Sequence, residues 1–107
     1  MALTKDFKET IQARAQRDPA FRKALLQEGI ECLLAGDMDT GRAVLRDYIN
    51  ATIGFGELAG VFDKSSKSLM RMFGPKGNPQ ASNLFAVIGY LQEREGIHLE
   101  VKVRKVA

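Results

Sequence analysis

FGELAGVFDKSSKSLMRMF, residues 55–73, is the stretch on which the fold turns. Phe55, Leu58, Ala59 and Phe62 fall at i, i+3, i+4 and i+7, the buried stripe of a short helix. Ser65 is a good cap residue, and a second helix runs from it to Phe73. Asp63-Lys64 leaves only a tight turn between the two. At about 100° per residue, Ser65, Leu69, Met72 and Phe73 gather on one side of the second helix. Lys67 and Arg71 stack at i and i+4 on the opposite side, flanked by Ser68 and Met70. An apolar back and a basic front on the second of two short helices is the arrangement of a helix-turn-helix. There the back rests on the scaffold, and the front offers long donors to the bases and phosphates of a major groove.

The residues expected at such an interface are Lys64, Ser65, Ser66, Lys67, Ser68, Arg71, Lys76 and Asn78. Arg71 and Lys67 are placed for base or phosphate contact, and Ser66 and Ser68 for base edges. The free N–H groups of the first turn also favour a phosphate. Lys76 and Asn78, in the loop that follows, extend the same surface toward the backbone. Charge agrees with this. The formal net charge is only +3, but no acidic residue lies between Asp63 and Glu93, and Lys64, Lys67, Arg71 and Lys76 crowd the first half of that gap. A one-sign stretch of this kind points to a polyanion. The competing reading is a solvated face that lacks acids, on a helical module that binds an acidic protein and no DNA.

Outward from this unit the chain reads as punctuated helices. A first helix covers Lys5–Ala15, with Thr4 as its cap. Asp18-Pro19 is a cap followed by proline at the first helical position, where the missing N–H costs nothing. Phe21, Leu25, Leu26, Ile30, Leu33 and Leu34 then recur at helical spacing until Gly36. Asp37-Met38-Asp39 is read as a turn, with Asp39 capping a third helix whose inward stripe is Val44, Leu45, Tyr48, Ile49 and Thr52. Ile53-Gly54 breaks that pattern. Gly74-Pro75-Lys76-Gly77-Asn78-Pro79 must be a loop. A sixth helix follows at about 81–94, with Leu84, Val87, Ile88 and Leu91 on one face, and Gly96 ends it.

The tail changes period. Ile97, Leu99, Val101 and Val103 alternate with His98, Glu100, Lys102 and Arg104, which is the pattern of a strand. A lone strand leaves its N–H and C=O groups unpaired, so the expected partner is another chain, either a second copy or a different protein.

Several segments together resemble a known family. Gly56-Glu57-Leu58-Ala59, then Ser65-Ser66-Lys67-Ser68-Leu69-Met70-Arg71-Met72-Phe73, then Lys76-Gly77-Asn78-Pro79, look like the Cro/repressor-like helix-turn-helix of addiction-module antidote proteins. These are the HigA-like antitoxins, with a Ser-x-x-x-Leu-x-x-x-Leu helix and a Gly-Asn-Pro loop. The resemblance covers about residues 18–103. It implies a dimeric DNA-binding protein that holds a small toxin of the RelE/ParE-like type and represses its own operon. Under it, Ser65 is the cap of the recognition helix, Ser66, Lys67 and Ser68 its exposed first turn, Leu69 its core anchor and Arg71 its basic outward position. The turn departs from the pattern in two places. Asp63 stands where glycine is usual, although aspartate tolerates a left-handed conformation better than most residues. Lys64 stands where an apolar residue is usual, and must lay its stem on the core.

Other chemistries find little support. Gly54, Gly56 and Gly60 miss the dinucleotide fingerprint and follow no strand, and Gly74-Pro75-Lys76-Gly77 lacks the spacing of a P-loop. One His and one Cys give no metal-ligand pair. His98 has no sequence neighbour for acid–base work. Glu28 with Glu31, and Asp37 with Asp39, read as helix-surface and capping carboxylates. Cys32 reads as a small apolar packing residue and has no disulfide partner. No apolar run reaches membrane-span length, and the first residues carry no secretory h-region, so a cytoplasmic location is expected.

The sequence therefore predicts an all-α single domain over residues 1–107 with about six helices. Residues 5–52 form a helical lead-in, 55–94 the helix-turn-helix core, and 97–105 a C-terminal β-strand paired between chains. The expected activity is sequence-specific repression at a palindromic double-stranded DNA operator, as a homodimer, with no cofactor and no catalysis. A stand-alone repressor without a toxin is the nearest alternative.

Overall fold

The computed structural model describes residues 5–106. Within them the chain forms six α-helices: α1 (Lys5–Arg17), α2 (Pro19–Leu34), α3 (Met38–Ala51), α4 (Phe55–Val61), α5 (Ser66–Met72) and α6 (Ala81–Glu95). The cap expected at Thr4 lies outside the described residues.

Local chemistry sets the boundaries. Asp18 leaves α1 in an extended conformation, and its carboxylate accepts the Phe21 N–H at 3.2 Å, with Pro19 opening α2. The first helix runs two residues past Ala15, because Asp18 and not Ala15 ends it; the Asp18 N–H still reaches the Arg14 carbonyl at 2.9 Å. Gly36 takes φ +85°, and the Asp37 N–H closes back on the Cys32 carbonyl, a Schellman-type stop. The third helix corrects the sequence reading by two residues. Its cap is Asp37, whose side chain accepts the Thr40 N–H at 3.2 Å, whereas Asp39 sits in the first turn. Either aspartate satisfies the pattern, and only the turn after Gly36 selects between them.

α2 and α3 pack most closely, and two glycines make that possible. A Cβ on Gly29 would meet the Leu45 side chain, and one on Gly41 would meet Leu33 and the Gly29 carbonyl. Leu26, Leu45, Tyr48 and Ile49 from this pair join Phe55, Leu58, Leu69, Phe73, Leu84, Val87, Ile88 and Leu91 in one core. The inward stripes expected for α3, α4 and α6 are those that are buried, with Val44, Thr52 and Phe62 half-buried at their edges. Cys32 is half-buried on α2 rather than enclosed.

One polar cluster ties the N-terminal half to the end of α6. The Tyr48 hydroxyl donates to Glu95 Oε1 at 2.7 Å, and Arg22 Nε donates to the same oxygen at 3.0 Å. Arg22 also donates to the Ala15 carbonyl at 2.6 Å, so α1 is included. The Glu95 side chain is only 7% exposed. Burial alone would raise its carboxyl, but the hydrogen bonds from Tyr48 and Arg22, with the Arg22 charge, outweigh burial and hold it below the ordinary value of 4.5.

No strand is present among the described residues, which departs from the strand expected at 97–105. The physical reason is the one that made the segment unusual in sequence. A ladder needs a second row of backbone groups, and every other described segment is spent in helices or their connections. The tail nevertheless keeps its alternation where it touches the body: Ile97 and Leu99 pack on the core, and His98 and Glu100 are exposed. No helix of the described residues is long and apolar enough to cross a membrane.

Because the Glu95 value is depressed in the folded chain, the carboxylate stabilises the fold above the ordinary carboxyl range. That contribution is lost as pH falls through the folded value. Glu95→Gln is therefore expected to cost about 1–3 kcal/mol in urea unfolding at pH 7. The gap from the parent should narrow on acidification below about pH 4; an equal gap at pH 7 and pH 3 would refute the ion-paired assignment.

Candidate nucleic-acid interface

The connection between α4 and α5 is set by one backbone choice. Asp63 has φ +51°, the one positive value outside glycine among the described residues. This left-handed residue reverses the chain, and the Lys64 N–H then bonds to the Ala59 carbonyl at 3.0 Å. Lys64 stays exposed, so its place in the turn comes from its backbone rather than from a stem laid on the core. Ser65 takes extended φ/ψ, and its hydroxyl accepts the Ser68 N–H at 3.1 Å. Its side-chain acceptor is thereby committed to capping.

Seven residues make a helix too short to persist alone, so tertiary contacts must hold α5. Leu69 and Phe73, four residues apart, are each 0% exposed. Phe73 meets Phe55, the first residue of α4, with ring centroids 6.1 Å apart. The C-terminal end of α5 is held from α3. Arg42 Nε lies 3.4 Å from the Gly74 carbonyl, and Arg46 Nη1 lies 3.4 Å from that of Phe73. Two guanidinium groups thus sit at the negative end of the short helix, an arrangement worth about 0.3–2 kcal/mol each. Arg42 is itself 7% exposed and is paired with Asp39 at 2.7 Å. Sequence reading missed both arginines, since nothing local distinguishes a surface Arg42 or Arg46 from one that reaches a carbonyl about 30 residues away.

The loop after α5 folds tightly back on it. A Cβ on Gly77 would collide with the Arg71 and Met72 carbonyl oxygens, so only glycine fits there. Its N–H closes a turn on the Gly74 carbonyl at 3.0 Å. Between this loop and the outer side of α5 lies an open groove of about 870 Å³. Lys67, Ser68, Arg71, Lys76 and Asn78 of the expected set line it, together with Met70, which is 52% exposed. Lys64, Ser65 and Ser66 do not; they are exposed at the other end of α5, beside the turn. None of Lys64, Lys67, Arg71 and Lys76 forms an ion pair among the described residues. Met70 is an addition from the structure. The sequence had it only as a flank of the basic side.

No cluster of metal-ligating side chains occurs among the described residues. His98 is exposed. Searches of known families, characterised proteins and solved structures return no match to this chain.

The turn gives a direct test of the site's frame. Asp63→Val places a β-branched residue at positive φ and is expected to lower stability by about 1–2 kcal/mol. Asp63→Gly should be neutral or stabilising by up to about 1 kcal/mol. Urea unfolding measures both, and equal effects of the two substitutions would remove the left-handed residue from the account.

Proposed function

We propose that this chain is a sequence-specific DNA-binding regulator in which α4, the Asp63 turn and α5 act as a Cro/repressor-like helix-turn-helix. The observation that carries the reading is the division of α5. Leu69 and Phe73 are fully buried, while Lys67 and Arg71 are exposed, with no ion-pair partner among the described residues, on one groove with Lys76 and Asn78. Long cationic side chains held on a rigid back, with no acid paired to them among the described residues, match a major groove and its flanking phosphates. In this reading Arg71 and Lys67 contact bases or phosphates, Ser66 and Ser68 reach base edges, Lys64 and Lys76 meet the backbone, and Ser65 keeps the first turn in shape.

A single module of this size binds weakly, so the working species is a homodimer. Two α5 helices about 34 Å apart suit a palindromic operator. The C-terminal segment supplies the strand that pairs with another chain. The resemblance to HigA-like antitoxins extends the proposal: the chain represses its own operon in the cytoplasm and neutralises a RelE/ParE-like toxin encoded beside it.

The DNA-binding reading is tested with a duplex selected from a randomised pool. Arg71→Ala should weaken binding to it by about 1–3 kcal/mol with little effect on folding. The parent's log–log salt dependence should have a slope of about −0.9 per phosphate contacted. If Lys67→Ala and Arg71→Ala together leave the affinity unchanged, α5 is not the reading helix. Absence of any binding at low salt would favour a helical module for an acidic protein partner. The antitoxin role predicts that the product of an adjacent small gene arrests growth unless this chain is co-expressed; a gene with no such neighbour would contradict it.

A further inference from the structure

The tail is tied to its own chain only at its start. Ile97 donates its N–H to the Gln92 carbonyl at 3.0 Å, and Leu99 donates to Gln92 Oε1 at 2.8 Å. The first of these bonds closes the end of α6 after the left-handed Gly96, and the second holds Leu99 against the helix. From Glu100 to Val106 no backbone group has a hydrogen-bond partner among the described residues. The apolar side of the tail continues past the point where the body covers it. Ile97 and Leu99 pack on the core, but Val101 is 77% and Val103 91% exposed.

We propose that two copies of this chain pair antiparallel through residues 97–105, with Val101 facing its own equivalent on the two-fold axis. The proposal rests on the dimeric reading above and names the occupant and the register. Charge decides the register. Around the centre of the pairing, apolar residues must also oppose apolar ones. Centring on Val101 sets Glu100 opposite Lys102 twice, Leu99 opposite Val103 twice, His98 opposite Arg104 and, at the ends of the ladder, Ile97 opposite Lys105. Centring on Glu100 or Lys102 sets like charges directly opposite each other, which is unfavourable. Centring on Val103 sets Lys102 against Arg104. Centring on Leu99 avoids like charges but runs the ladder into the end of α6, leaving Val103 with no strand residue opposite. A shift by one residue would put charged side chains against the apolar side. The Val101 register alone pairs opposite charges and also covers Val101 and Val103. The self-complementary order Glu-Val-Lys at 100–102 favours a second copy over an unrelated protein.

Sedimentation of the full chain without DNA reads the pairing. The parent is expected to be a dimer, Glu100→Lys to raise its dissociation constant about tenfold, and Glu100→Lys with Lys102→Glu to restore it to within about threefold. In a Cys32→Ala background, Val101→Cys should oxidise to a disulfide-linked dimer, since residues directly opposite on an antiparallel pair stand about 4.5–5.5 Å apart at Cα. Val103→Cys should not, its equivalent lying four residues, or about 13 Å, along the ladder. A monomeric parent, a charge swap that fails to restore pairing, or equal cross-linking at both positions would overturn the proposal. A monomer that still binds DNA overturns the pairing and leaves the DNA-binding reading standing. A dimer with the expected charge-swap pattern that binds no DNA supports the pairing and counts against the other.

Discussion

Burial of Leu69 and Phe73 at zero exposure is the constraint on which the proposed site depends. A seven-residue helix has too few internal hydrogen bonds to stand alone, and these two side chains fix its place and its rotation together. Once they face inward, helical geometry leaves Lys67 and Arg71 no direction but outward. The rest of the neighbourhood reinforces that orientation. Phe55 packs on Phe73, Ser65 caps the first turn, and Arg42 and Arg46 meet the carbonyls of Gly74 and Phe73 at its end. Gly77 lets the following loop close against α5, and so Lys76 and Asn78 share the groove of Lys67 and Arg71.

The first half of the chain acts as the frame. α2 and α3 approach closely at Gly29 and Gly41, and α3 then offers Arg42 and Arg46 to α5 on one side and Tyr48 to Glu95 on the other. A helical lead-in before the α4–α5 unit thus has a definite physical task. It fixes both the short helix that carries the cations and the end of α6 from which the tail departs.

Much of this was legible in the sequence because it is local. Asp18-Pro19, Gly36, Gly54 and Gly96 mark ends through capping or positive φ, and the apolar stripes of α3, α4 and α6 follow a 3.6-residue period. Even the irregular turn was readable, since aspartate is one of the few non-glycine residues at ease in the left-handed conformation that Asp63 adopts. What escaped notice depends on long-range contact. Arg22 and Tyr48 converge on Glu95 across 73 and 47 residues, and no spacing rule connects them. Arg42 reads as a surface cation until the chain brings Gly74 to it. The choice between Asp37 and Asp39 as a cap turned on the geometry after Gly36. The tail shows the opposite case: its two-residue period is plain in the sequence, but no strand forms among the described residues.

The central claim is that the outer side of α5, with the loop behind it, is the surface that meets DNA. Amide chemical-shift mapping of the full chain against a selected duplex tests it most directly, because every backbone N–H reports independently. The account predicts the largest perturbations at Ser66, Lys67, Ser68, Met70 and Arg71 and across Lys76–Asn78, with α2 silent. Perturbations centred on α1 to α3, or none beyond those produced by an unrelated duplex of equal charge, would contradict it.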